Sequence, residues 1–236
     1  MTSNPSLPVI AKYIASCGVA SRRAAAELVK AGRAAVNGVS VNDPSVRIKS
    51  DDKVTVDGKT VSPEPVKYYV VLNKPRGYVC TGADSHAKKR AVDLIDLPCR
   101  LVSAGRLDKD SEGLIIFSND GEYINRLAHP SFQVLKVYHV RLDRELAAGE
   151  IAALMEGIRD NSELLRPEHV SRIGERLYAF TLNEGRNREI RRMAAFLGVD
   201  VTRLVRISVG KLSLGKLPSG HWRLLTPAEI AASVSV

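Results

Sequence analysis

The apolar run Leu114-Ile115-Ile116-Phe117 constrains this chain more than any other stretch, because a strand built from it must be covered on both faces. Before it stands Gly105-Arg106-Leu107-Asp108-Lys109-Asp110-Ser111-Glu112-Gly113, and after it Ser118-Asn119-Asp120-Gly121. The glycines allow tight turns on either side of the strand. Asp108 is thereby set on a rigid platform immediately before a buried element, a place from which a carboxylate can do chemistry. Alone, Gly-Arg-Leu-Asp also fits an aspartate that caps a turn or pairs with Arg106.

Upstream, Val9, Ile10, Tyr13, Ile14 and Cys17 recur at helical spacing, and Gly18 supplies a stop. Ser21 suits the cap of a second helix from Arg22 to about Ala31 that buries Ala25, Leu28 and Val29. Arg22, Arg23, Lys30 and Arg33 are left for solvent or a polyanion. Asn37-Gly38 and Asp57-Gly58, each between short β-branched runs, predict two hairpins. Ser62-Pro63-Glu64-Pro65-Val66 reads as a linker.

Beyond the linker, strands are expected at 68–72, 78–80, 102–104, 114–118, 138–142, 178–182 and 203–209. Helices are expected at 122–128, 147–157, 188–197 and 226–233, and 83–90 reads as a basic loop. Irregular alternation of this kind points to an α+β fold with a mainly antiparallel sheet.

A chain of 236 residues with 44% hydrophobic content can bury real cores in one or two domains. Its formal charge of +9 favours a polyanionic partner. Cys17, Cys80 and Cys99 form no C-x-x-C pair, which argues against a disulfide framework or a zinc site. His86, His129, His139, His169 and His221 lack metal-helix spacing. Neither Gly-x-Gly-x-x-Gly nor Gly-x-x-x-x-Gly-Lys-Ser/Thr occurs, so a kinase, an NTPase and a Rossmann methyltransferase are set aside. No apolar segment approaches the roughly 18 residues of a membrane span, and the expected location is the cytoplasm.

Four segments together resemble one family. They are Leu72-Asn73-Lys74-Pro75-Arg76-Gly77, Gly105-Arg106-Leu107-Asp108, Lys136-Val137-Tyr138, and Glu184-Gly185-Arg186-Asn187-Arg188-Glu189-Ile190-Arg191-Arg192-Met193. In order and spacing they are similar to the RsuA-type bacterial ribosomal-RNA pseudouridine synthases, and the likeness covers nearly the whole chain. It implies a small helix-helix-hairpin RNA-binding domain of the ribosomal-protein type over 7–61, a linker over 62–67, and a mixed-sheet catalytic domain over 68–236.

The resemblance implies that Asp108 is the catalytic aspartate and that Tyr138 stacks on the target base. Arg191 would pair with the aspartate, an opposite charge that favours the ionised form of a carboxylate and fixes its rotamer. Arg106 would fill the stack vacated by a flipped uridine or clamp a phosphate. Arg22, Arg23, Lys30, Arg33, Lys74, Arg76, Lys136, Arg186, Arg188 and Arg192 would bind RNA, largely through phosphates. Leu204 matches an apolar residue beside the base, although core packing of its strand explains it better. Glu189 and Ser111 stand where Gln and Thr are common in the family. No cofactor is implied, and the expected partner is ribosomal RNA or a precursor subunit, bound by a monomer. Large-subunit RNA fits better than small-subunit RNA, and a non-catalytic assembly factor is the alternative from another class.

Overall fold

A computed structural model describes residues 7–81 and 89–235; the expected basic loop at 83–90 and His86 lie largely or wholly outside them. The chain separates into two units. One runs through Lys67 and takes in Leu97–Leu101 and Asn119–Gly121, and the other holds Tyr68–Asp96, Val102–Ser118 and Glu122 onward.

In the first unit, helices α1 (Ile10–Ser16) and α2 (Arg22–Lys30) precede strands β1 (Ala34–Val36), β2 (Val39–Val41), β3 (Val54–Val56) and β4 (Lys59–Thr60). Ser21 Oγ accepts from the Ala24 amide at 3.2 Å, so α2 starts where its cap was expected. Asn37 and Gly38 take φ of 52° and 82°, and Asp57 and Gly58 take 50° and 75°. Such paired left-handed residues twist a two-residue loop to suit its strands, which is why both hairpins were visible in sequence. The strands form one sheet in the order β2-β1-β3-β4. Ile10, Ile14, Ala25, Val29, Ile48 and Val54 close its core.

The second unit contains β5 (Tyr69–Lys74), β6 (Val102–Ser103), β7 (Glu112–Ser118), α3 (Gly121–Ala128, its first residue grouped with the other unit), β8 (Lys136–Leu142) and α4 (Ala148–Glu156). It continues with β9 (Ile158–Asp160), β10 (Glu163–Leu165), β11 (His169–Gly174), β12 (Leu177–Leu182) and α5 (Glu189–Phe196). Last come β13 (Val201–Val209), β14 (Leu212–Ser213), β15 (Trp222–Leu224) and α6 (Pro227–Ser233).

The large sheet runs β11-β12-β8-β13-β7-β5-β15, with β14 on β13 and β6 on β7. Its pairs are antiparallel except β13 with β7, which is parallel. Leu114, Ile115, Ile116 and Phe117 are all at most 3% exposed, as a strand covered on both faces requires. The expected strand at 78–80 is replaced by a single bridge between Val79 and Arg90. Among the described residues no helix is long and apolar enough to cross a membrane.

Candidate active site

Asp108 lies in the turn that feeds β7, and three separate contacts hold that turn. The Ser111 amide donates to the Asp108 carbonyl at 3.1 Å, and the Gly77 amide donates to the Lys109 carbonyl at 2.7 Å. Arg191 Nη2 donates to the Asp110 carbonyl at 3.3 Å. Leu107, 6% exposed, anchors the preceding residue in the core. At the start of β7, Gly113 has φ of +103°, and a Cβ there would stand 2.3 Å from the Arg206 carbonyl oxygen. Only glycine admits β13 this close. Arg206 is in register with Gly113 on one side and Tyr138 on the other. The parallel β7–β13 contact thus brings the Asp108 turn to the end of the sheet where β8 presents Tyr138.

Asp108, Tyr138 and Arg106 wall one cavity of about 330 Å³, together with Leu204 and residues of the 185–190 segment. Tyr138 is 6% exposed and Arg106 is exposed. Leu204, assigned to strand packing from sequence, is both buried in the sheet and part of the cavity wall.

The expected Asp108–Arg191 ion pair is not the one that forms. The guanidinium within ion-pair range of Asp108 belongs to Arg188, with Nη1 3.9 Å from Oδ2. The cause is where the helix begins. Arg188 is the cap residue of α5, in the left-handed region at φ 48° and ψ 34°, and stays exposed. Arg191 is one turn further in, with Nη1 on the Val201 carbonyl at 3.1 Å and Nη2 on the Asp110 carbonyl. It holds the backbone of the Asp108 turn instead of the Asp108 carboxylate.

Several of the side chains expected to meet RNA also have partners within the chain. Lys74 is fully buried, and its Nζ donates to the carbonyls of Tyr78 at 2.8 Å and Pro75 at 3.1 Å, so it ties its own turn and is withdrawn from any phosphate. Lys136 Nζ donates to the Val134 and Asn183 carbonyls. Arg192 binds Asp160 and Glu163, and Arg186 binds Glu184 and the Leu164 carbonyl; both pin the β9–β10 hairpin. In the first unit Arg33 makes a two-pronged pair with Asp57, and Lys30 pairs with Glu27. Arg22, Arg23, Lys30, Arg33, Arg76, Arg106 and Arg188 are exposed, Arg76 3.9 Å from the Asp110 carboxylate.

Charged groups that no surface reading anticipates are buried wholly or in part on the elements that carry the site, and Glu189 also lines the cavity. Burial, with Arg206 nearby, lowers the Lys136 pKa to about 8 against the pull of Glu189 and Glu184. Glu189 is 3% exposed and accepts from the Arg186 amide through Oε2, while burial pushes its carboxyl above the usual range. Arg206, 3% exposed, donates Nε to the Leu114 carbonyl at 2.7 Å. β13 carries two arginines, the exposed Arg203 and the buried Arg206, and the sequence signal for Arg206 was its period-two spacing from Leu204. Cys17, Cys80 and Cys99 are free thiols, and among the described residues no cluster of His, Cys, Asp or Glu could hold a metal ion.

Residues 68–196 match the family described as RNA pseudouridylate synthase, and residues 10–54 match the S4 domain. An uncharacterised RNA pseudouridine synthase of Aquifex aeolicus is 37% identical over 229 residues, 94% of this chain and 92% of that protein. The ribosomal large subunit pseudouridine synthase B of Bacillus subtilis is 36% identical, over 93% of this chain and 92% of its own length. A pseudouridylate synthase of known crystal structure superposes with a TM-score of 0.71 at 31% identity, covering 97% of this chain and all of the other.

Proposed function

The chain belongs to the RNA pseudouridylate synthase family, and from that premise we propose that it isomerises uridine to pseudouridine in ribosomal RNA, at a site in the large subunit. In this reaction the bond from C1′ to N1 breaks, the uracil turns in place, and a bond from C1′ to C5 forms. C5 loses a proton and N1 gains one, so the RNA keeps its composition. The protein must supply a carboxylate at the sugar or base, an aromatic surface for the detached ring, and a filler for the gap left in the RNA stack.

Asp108, Tyr138 and Arg106 are our assignments for those three roles. The observation that carries them is that all three wall one cavity of about 330 Å³, near the small end of the roughly 300–1,000 Å³ typical of ligand pockets. Extruding the uridine costs about a few kcal/mol, and phosphate contacts from exposed arginines offset it. Arg22, Arg23, Arg76 and Arg188 are the exposed groups assigned to them. Residues 7–61 act as the RNA-binding domain, 62–67 as the linker and 68–236 as the catalytic domain, in a monomer. The large-subunit substrate is supported by the name of the Bacillus subtilis relative.

The test incubates large- and small-subunit ribosomal RNA transcripts with wild type and Asp108→Asn, then maps pseudouridine by carbodiimide-dependent primer stops. One new stop in large-subunit RNA, absent with the variant, is the expected result. A stop confined to small-subunit RNA would move the substrate. Tight binding without a stop in free RNA or precursor subunits would favour a non-catalytic assembly factor.

A further inference from the structure

Asp108 lies within electrostatic reach of two arginines in unlike states. Arg188 is about half exposed, and its contact with Asp108, at 3.9 Å, is at the outer limit of an ion pair. A pair this long and this wet is weakly held. Arg191 has its two terminal nitrogens on carbonyls, yet its Nε is buried without an acceptor. A buried donor in that state is unfavourable until an acceptor arrives. Asp108 and Asp110 are the carboxylates whose charge reaches Arg191, and of the two Asp108 is the one that walls the cavity.

We propose that Arg188 is a positioning residue that holds the Asp108 carboxylate while no RNA is bound and releases it to Arg191 when an RNA phosphate captures the Arg188 guanidinium. Phosphate is the better partner for Arg188, because it accepts two parallel N–H bonds where the present pair is long and single. The turn itself need not move. Its backbone is fixed by Ser111, Gly77 and Arg191, so rotation of the Asp108 side chain makes the exchange. The charges around Arg191 agree. Burial and the neighbouring Arg188 both disfavour its charged form, whereas Asp108 and Asp110 support it. Moving Arg188 onto a phosphate removes one opposing charge, and bringing Asp108 in strengthens a supporting one. Alignment of the carboxylate is thereby tied to engagement of the RNA backbone. This inference rests on the assignment of Asp108 as the reacting carboxylate.

The direct test is a structure of the RNA-free Arg188→Gln protein. The expected result is the Asp108 carboxylate within hydrogen-bond distance of Arg191 Nε; a carboxylate left in solvent would overturn the exchange. RNA binding across salt concentrations gives a second reading that needs no activity. Arg188→Gln is expected to lower the slope of log affinity against log salt by about 0.7–0.9, the share of one neutralised phosphate, and Arg188→Lys to restore it. An unchanged slope for Arg188→Gln would also overturn the proposal. At saturating RNA the single-turnover rate should fall at least about a hundredfold for Arg191→Gln, and by a clearly smaller factor for Arg188→Gln. Equal losses would make Arg188 a standing partner and refute the exchange. A wild type that binds RNA but forms no pseudouridine would sink the functional assignment instead, with the structure and the salt slope still deciding the exchange.

Discussion

In the amino-terminal unit Arg22 and Arg23 stand exposed at the start of α2. In the carboxy-terminal unit Lys74, Lys136, Arg186, Arg192 and Arg206 turn inward and spend their donors on carbonyls or carboxylates of their own chain. An exposed cation keeps its hydration and can exchange it for a phosphate. A buried one must be satisfied by the protein, and then it braces a turn or a hairpin. The formal charge of +9 is therefore no map of the RNA surface.

The contrast can be broken most easily at Lys74. Lys74→Ala empties a fully buried site and leaves the Pro75 and Tyr78 carbonyls without their donor. We expect a loss of about 2–5 kcal/mol in denaturant unfolding, with the salt slope of RNA binding by the folded fraction unchanged. A reduced slope would show that Lys74 meets phosphate after all. Arg192→Ala, which frees Asp160 and Glu163, should lower the unfolding midpoint by less than Lys74→Ala does. It too should leave the salt slope alone.

Lys136 sharpens the contrast through pH. With its pKa lowered to about 8 by burial, the folded protein sheds this proton before the unfolded chain does. Between that value and the ordinary lysine range the unfolded state binds more protons, so stability rises with pH. Below the window both states are protonated and the penalty of burying the charge is constant. The melting temperature of wild type should therefore climb relative to Lys136→Met between about pH 8 and 10; a flat difference would mean that the amine is solvated. The smallest effect on folding is expected for Arg22→Ala with Arg23→Ala. Stability should stay within about 0.5 kcal/mol, while the salt slope falls by about 0.7–0.9 for each phosphate that the variant no longer neutralises.

Much of the scaffold was legible because local chemistry and global packing agree there. Ser21 caps α2, Asn37-Gly38 and Asp57-Gly58 turn hairpins, and Leu114 to Phe117 form a doubly covered strand. Strands β9 and β10 were not legible. They are three residues each, and carry Arg159, Asp160 and Glu163 where alternation would be sought. They are held by buried Ile158 and Leu165 and by Arg192 and Arg186, which lie far along the chain. The expected strand at 78–80 forms only one bridge, because the turn before it is held by Lys74 and Gly77 instead of by a neighbouring strand.

At the site, Asp108, Tyr138 and Arg106, singled out from motifs far apart in the chain, wall one cavity. What the motifs could not give was which arginine meets the carboxylate, since that depends on α5 starting at Glu189 with Arg188 left-handed before it. Nor could they show that Glu189 and Arg206 are buried. Sequence reasoning puts charge at the surface by default, and only the sheet register and the close approach at Gly113 reveal the exception.

The most direct measurement is single-turnover release of tritium from uridine C5 at saturating RNA, comparing wild type with Asp108→Asn and checking RNA binding by both. If Asp108 is the reacting carboxylate, release by the variant falls at least about 1,000-fold while affinity changes by no more than a small factor. Release by Asp108→Asn at the wild-type rate would contradict the assignment and send the chemistry elsewhere in the cavity.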